Sequence, residues 1–277
     1  MICAENFAFV RQLLKQRAAI VLRANKMYLV NARLLPVARS AGLAGANALI
    51  DQLRQTPDES LLQAVVDAMT TNETSFFRDA APFDILGNVV LPELVKRRAG
   101  ERKISIWSAG CSSGQEPYTI ALQWLEQFAQ LSSWRMKLLA TDISSEMLDR
   151  ARRGRYTELE ISRGLPAAHR EKYFRQDGNQ WQIDQRLRSM VEFRLLNLNG
   201  PWPALPAMDV VLLRNVLVYF DAATKKQILK KVRTVLRPDG YLFLGGTETT
   251  LMIDDAFKRV VTPVGSYYSL KDSQQNR

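Results

Sequence analysis

The sequence predicts an α/β fold. A mainly parallel sheet, covered by helices on both faces, is closed by an antiparallel hairpin. A small N-terminal all-helical domain precedes it, and a small β-subdomain is inserted in it. Three observations carry this reading. The first 75 residues contain helical periodicity and no β-rich run. From about residue 100, short apolar strand candidates alternate with amphipathic helices, the pattern of right-handed crossovers and a parallel sheet. One polar, Arg-rich stretch breaks that alternation. The expected boundaries are 1–75 for the helical domain and 76–277 for the α/β domain, with a hairpin inserted at about 155–190. A chain of 277 residues has room for one large domain or two smaller ones.

The elements follow in order. Val10, Leu13 and Leu14 recur at helical spacing, as do Leu61, Leu62, Val65, Val66 and Met69. Thr56-Pro57-Asp58 stops one helix and starts the next, with Pro57 at a first-turn position. Lys103–Ser108 reads as a strand ending in Ala109-Gly110, and Gln115–Phe128 as the helix after it. Lys137–Thr141 is a second strand ending at Asp142, and Glu146–Arg152 is helical. In the insert, Asp177-Gly178-Asn179 is a turn between Tyr173-Phe174 and Trp181–Ile183. Val191–Leu196, Asp209–Leu213 and Tyr241–Leu244 are further strands. Ala222–Leu236 is an amphipathic helix stopped by Pro238-Asp239-Gly240. Val260–Thr262 and Ser266–Leu270 form the closing hairpin, and residues 272–277 read as a frayed tail. Trp107, Phe128, Trp134, Phe193 and Phe243 are assigned to the core.

Composition excludes several classes. Apolar residues make up 47% and charged residues 24%, so the chain is neither disordered nor fibrous. Val210–Leu213 and Val216–Phe220 are separated by Arg214 and Asn215, and no apolar run reaches membrane-spanning length. The first residues lack the pattern of a secretory leader. Cys3 and Cys111 are the only cysteines, which suggests reduced thiols in the cytoplasm and no zinc site. The formal net charge is +10. Residues 1–50 hold seven basic residues against Glu5 alone, and residues 150–195 hold eleven basic and six acidic. A basic excess in blocks suits an acidic partner.

The loop after the first strand, Ala109 to Pro117, has small residues and two glycines, which let backbone amides approach a ligand at a helix N-terminus. Its spacing, Gly110 to Gly114, is neither the dinucleotide fingerprint nor a P-loop, and a plain structural turn is the competing reading. Asp142 ends the second strand, where a carboxylate can accept both hydroxyls of a ribose. The alternative for Asp142 is a helix cap, since Ser144 and Ser145 follow. Together, the glycine loop and the acid favour an adenosine-containing ligand. His169 is the sole histidine and reads as a solvated residue of the insert.

Asn72-Glu73-Thr74-Ser75-Phe76-Phe77-Arg78-Asp79, Trp107 to Tyr118, Thr141 to Ser144 and Arg214 to Phe220 together resemble the chemoreceptor glutamate methyltransferases, the CheR family. Leu236 to Tyr241 and Gly245-Gly246-Thr247-Glu248 fit as well. The motifs appear in order from about residue 7 to 270. Gln115 departs from the pattern, where the family usually carries a second acid. The resemblance implies a class I S-adenosylmethionine-dependent methyltransferase fold, Rossmann-like, with S-adenosylmethionine as methyl donor and S-adenosylhomocysteine as product. It implies transfer to glutamate carboxylates of chemoreceptors, giving glutamate 5-O-methyl esters in sensory adaptation.

Residue by residue, the resemblance puts Asn72, Thr74, Arg78, Gly110, Glu116, Asp142, Asn197, Leu198, Arg214 and Asn215 at the donor. Arg78 and Tyr219 are implied to face the reacting centre. Asn72–Asp79 lies at the joint between the domains, so it can close a wall of the donor pocket. The second N-terminal helix is implied to meet the receptor's cytoplasmic helical region through Arg33 and Arg39. On an ideal helix these two stand about 240° apart, so they share a face only if Pro36 bends it. A plain solvated face is the competing reading. The short turn at Asp177-Gly178-Asn179 suggests a member that does not need a receptor's C-terminal tether peptide. A small-molecule methyltransferase would leave the basic helical domain unexplained, and two further rivals differ in class. A nucleic-acid methyltransferase would need an Asn/Asp-Pro-Pro-aromatic motif where Arg214-Asn215-Val216-Leu217 stands, or a nucleophilic cysteine after proline. The other is a catalytically silent, donor-binding regulator that docks on receptors.

Overall fold

In the computed structural model, residues 2–271 are described. The chain opens with four helices: α1 (Ala4–Ala18), α2 (Met27–Ser40), α3 (Ala46–Gln55) and α4 (Glu59–Met69). They enclose a core of their own, with Val10, Leu14, Val30, Leu34, Leu49, Ile50 and Val65 fully buried. α4 begins where the sequence signal placed it. Asp58 is the N-cap, its carboxylate accepting from Leu61 N at 2.8 Å, and Pro57 precedes the cap rather than sitting in the first turn. α2 runs continuously through Pro36.

The α/β domain starts with α5 (Ala81–Ile85), which passes through a π-helical turn (Leu86–Val90) into α6 (Leu91–Arg97). Then follow β1 (Lys103–Ala109), α7 (Gln115–Gln127), β2 (Arg135–Asp142) and α8 (Ser145–Arg153). The insert contributes β3 (Arg155–Thr157), α9 (Glu158–Ser162), α10 (Ala167–Tyr173), β4 (Phe174–Asp177), β5 (Gln180–Ile183) and α11 (Gln185–Ser189). The chain returns as β6 (Val191–Leu195), β7 (Met208–Leu213), α12 (Ala222–Val235), β8 (Leu236–Leu244), β9 (Phe257–Thr262) and β10 (Gly265–Leu270).

Among the described residues the main sheet has seven strands in the order β6-β2-β1-β7-β8-β10-β9. β6, β2, β1, β7 and β8 are parallel, while β10 runs antiparallel to both β8 and β9. Alternate residues of the central strands feed two cores. Ile104, Ile106, Leu138, Val210, Leu212 and Phe243 face one layer, and Trp107, Leu139, Val211, Leu213 and Leu242 face the other. The strand order reverses between β1 and β7, so the crevice lies at their carboxyl ends.

Three further expectations need correction. The insert is a three-stranded sheet, β3-β5-β4, rather than a hairpin alone. α12 ends at Val235, and β8 begins immediately. Pro238-Asp239-Gly240 is a bulge within β8 rather than a turn before it: Met208 pairs with Leu236, but Val210 pairs with Tyr241. His169 is half-buried, its ring stacked on Phe77 with centroids 5.6 Å apart, so it is not a solvated residue.

Candidate functional site

The cleft at the switch point is built by four walls. The loops after β1 and β2 give Gly110, Ser112 and Asp142; the loop after β6 gives Leu196, Asn197 and Leu198. The segment after β7 gives Arg214, Asn215, Val216 and Tyr219, and the joint 70–78 closes the fourth side. The cleft encloses about 930 Å³ of space between atoms, much of it open to solvent.

β2 and α8 hold Asp142, which is buried. One carboxylate oxygen accepts from Ser112 N at 2.8 Å and the other from Ser144 N at 2.9 Å. The cap of α8 is Ser144, whose hydroxyl accepts from Met147 N, so Asp142 is not the cap. Each carboxylate oxygen keeps a second lone pair, so two ribose hydroxyls still find acceptors. Burial pushes this carboxyl above its ordinary value, with the backbone N–H bonds pulling the other way. Gly110 has φ +81, and a Cβ there would stand 2.4 Å from Val216 Cγ2. Only glycine lets the two loops touch.

Arg214 ties the cleft together. Its guanidinium donates to Glu116 at 2.8 Å, to Arg78 O at 2.6 Å and to Asp79 at 3.0 Å, and it lies over the Phe83 ring. Glu116 in turn accepts from Ser108 Oγ at 2.8 Å. One end of α7 is thus locked to the joint. The joint itself is a strained backbone: Phe77, Asp79 and Ala80 all have positive φ. Arg78 stays half-exposed, steadied by a 2.6 Å bond from Nη1 to Glu73 O. Arg214 Nε is buried with no partner among the described residues, a donor suited to an anionic ligand group.

The helical domain supplies part of the same cleft, which sequence reading missed. Ala18 and Ile20 line it, Val21 N donates to Tyr219 O at 2.9 Å, and Asn197 Nδ2 donates to Arg17 O at 2.6 Å. Ser112, Thr70, Glu73 and Val216 were also not singled out, since only contact across loops brings them in.

The structure brings Asn72, Thr74, Arg78, Gly110, Glu116, Asp142, Asn197, Leu198, Arg214, Asn215 and Tyr219 into this one cleft. It does not bring Arg33 and Arg39 there. Arg33 turns inward, donating to Met69 O at 2.9 Å, Thr70 O at 2.8 Å and Thr71 Oγ1 at 3.1 Å. It braces the end of α4 where the joint begins, and burial lowers its guanidinium below the usual arginine value. Arg39 is exposed on the same helix. Cys111 is buried beside Asp142 and Glu116, and burial first, then those charges, push its thiol up, so it stays protonated and inert.

The family model of the CheR methyltransferase SAM binding domain matches residues 72–265, and that of the CheR methyltransferase all-alpha domain matches residues 5–70. The chain is 39% identical over 271 residues to a Pseudomonas putida protein named chemotaxis protein methyltransferase Cher2, covering 96% of this chain and 98% of that one. It is 40% identical over 271 residues to chemotaxis protein methyltransferase 1 of Pseudomonas aeruginosa, with the same coverage. It is 38% identical over 261 residues to the chemotaxis protein methyltransferase of Vibrio parahaemolyticus, covering 93% and 94%. The two domain models together cover the helical domain, the joint and the α/β domain that line the cleft, and the acceptor and donor groups of that cleft fit S-adenosylmethionine. The chain therefore belongs to the CheR methyltransferase family and is an S-adenosylmethionine-dependent methyltransferase.

Proposed function

We propose that this methyltransferase acts on glutamate side chains of chemoreceptors and leaves glutamate 5-O-methyl esters. The observation that carries the reading is the split character of the cleft. Its inner end is held by the hydrogen bonds of Asp142 and Arg214, with Arg214 Nε left as a free donor among the described residues. Its outer end presents Arg78 and Tyr219, both half-buried. The names of the relatives above, all chemotaxis methyltransferases, support the same substrate class.

S-adenosylmethionine supplies a methyl group on a positively charged sulfur. A glutamate carboxylate, with a reference pKa of about 4.3, is already ionised at neutral pH. Its oxygen would form the new bond to the methyl carbon with its own lone pair as the sulfur–methyl bond breaks, the electron pair staying on sulfur to leave S-adenosylhomocysteine, and no proton has to move. The site therefore needs no general base. Its residues align the carboxylate, exclude water and neutralise nothing too strongly. Arg78, tethered through Glu73 O, orients the carboxylate, and Tyr219 bounds it from the opposite wall. The partner is the helical cytoplasmic region of a chemoreceptor, placing the protein in the cytoplasm. Among the described residues no helix is long and apolar enough to cross a membrane. The two-residue turn of the insert, Gly178-Asn179, favours a member that does not need a tether peptide.

The test is incubation of the protein with methyl-labelled S-adenosylmethionine and chemoreceptor-containing membranes, followed by mild base. The expected result is receptor label released as volatile methanol. Donor binding without base-labile label on any receptor would make the silent regulator the better reading. In the same assay, Arg78→Ala is expected to lower turnover about 100-fold, the usual cost of one lost transition-state donor. Unchanged turnover and donor affinity would remove Arg78 from the reaction.

A further inference from the structure

We infer that Glu248 is a positioning residue for methyl transfer, holding the Asn215–Tyr219 wall in place; the inference rests on the reading above. Glu248 does not line the donor cleft. It lines a neighbouring hollow with Asp79, Gly245, Gly246 and Tyr268, and its side chain folds back over the end of β7. One carboxylate oxygen accepts from Asn215 N at 2.7 Å and from Gly245 N at 2.7 Å. The other accepts from Val218 N at 3.2 Å. A single carboxylate thus staples the loop after β8 to both ends of the first turn after β7.

That turn needs a staple. Asn215 has φ +59, a left-handed backbone that a non-glycine residue keeps only where its surroundings enforce it. The close approach also dictates the residue at 245. A Cβ on Gly245 would lie 2.8 Å from each of Asn215 N, Asn215 Nδ2 and Glu248 Oε2. Asn215, Val216 and Tyr219 then project into the cleft, with Leu217 between them buried in the core. At its far end the segment has one more backbone tie, Val21 N to Tyr219 O. Glu248 therefore fixes the near end of the wall that carries the Tyr219 side chain, and does so without touching the reacting groups.

The experiment compares wild type, Glu248→Ala and Glu248→Gln by amide hydrogen exchange, S-adenosylhomocysteine affinity and steady-state methylation of receptor membranes. In Glu248→Ala the Asn215 and Gly245 amides are expected to exchange at least 10-fold faster. Its kcat is expected to fall at least 10-fold, by more than its donor affinity weakens, because Asp142 on another wall still anchors the donor. Glu248→Gln keeps one oxygen for the two short bonds; its NH2 meets Val218 N, but across the longest and most exposed of the three contacts, where it can turn aside, so its kcat is expected within about 3-fold of wild type. Unaltered exchange, kcat of the alanine variant within 3-fold of wild type, or equal losses in both variants would overturn the assignment. A loss of kcat in Glu248→Ala matched by an equal loss of folded protein would also overturn it. If wild type forms no methyl ester, the glutamate reading fails independently. Glu248 is then judged on exchange and donor affinity, and a Glu248→Ala protein matching wild type in both would overturn its role.

Discussion

Asp142→Ala is expected to weaken S-adenosylhomocysteine binding about 100-fold while changing the melting temperature little. The binding effect follows from lost acceptors. Two ribose hydroxyls share one carboxylate, and hydrogen bonds to a charged group contribute about 1.5–3 kcal/mol each, so a net loss of about 2.7 kcal/mol is a conservative sum. The small stability effect follows from two opposed terms. Removing the carboxylate orphans the Ser112 and Ser144 amides, which costs about 1–3 kcal/mol per buried group. It also removes a buried charge whose desolvation is already visible as a raised pKa. Asn is not a conservative replacement here. Both oxygens receive a backbone N–H, so the amide NH2 of Asp142→Asn would confront one of those donors. Its affinity is expected to lie close to that of the alanine variant. Isothermal calorimetry checks both, and alanine within 5-fold of wild type would take the ribose role away from Asp142.

The same residue gives a pH dependence of fixed sign. In the unfolded chain the carboxyl titrates near 3.8, and in the folded protein it takes up its proton at higher pH. Its ionised form therefore detracts from stability above the folded pKa, and acidification relieves that cost. Donor affinity moves the opposite way, because protonation converts one acceptor oxygen into a donor. On lowering the pH, S-adenosylhomocysteine binding should begin to weaken before an ordinary aspartate protonates.

What the sequence made legible is what periodicity and capping govern. The parallel strands, the α4 start at Asp58, the glycine loop and the acid at the end of β2 all have local signatures. The departures are matters of contact. α1 ends with Ala19 at φ 56, a left-handed cap without glycine, so nothing in the sequence marks where the chain turns towards the cleft. That turn is what makes Ala18, Ile20 and Val21 part of the site. The resemblance places Arg33 towards the receptor, and neither it nor the helical pattern shows how far the side chain reaches. Its guanidinium reaches three acceptors at the end of α4. Glu248 sat in a motif but had no role, since two of its three partners, Asn215 and Val218, lie thirty or more residues away along the chain.

Arg214→Ala separates folding from positioning, because Arg214 serves both. Its side chain is 2% exposed and its partner Glu116 13%. Taking one member from a buried ion pair leaves the other charge uncompensated, a loss of about 3–5 kcal/mol. For a domain of this size that lowers the melting temperature by about 10 °C. If the stability loss comes from the stranded Glu116 carboxylate, then removing both charges should repair it. Arg214→Met with Glu116→Gln keeps apolar volume over Phe83 and leaves Ser108 Oγ a neutral partner. The double variant is expected to recover at least 2 kcal/mol relative to Arg214→Ala. Activity should not recover with it. Arg214 is also the donor to Arg78 O and Asp79. Without it, the strained backbone of the joint loses its tie to α7, and Arg78 loses its fixed approach to the carboxylate. A stable double variant that still binds S-adenosylhomocysteine but is inactive would show that the buried arginine is there to fix the joint. A double variant that regains both stability and turnover would mean that the joint holds its shape without Arg214, and that the ion pair serves folding alone.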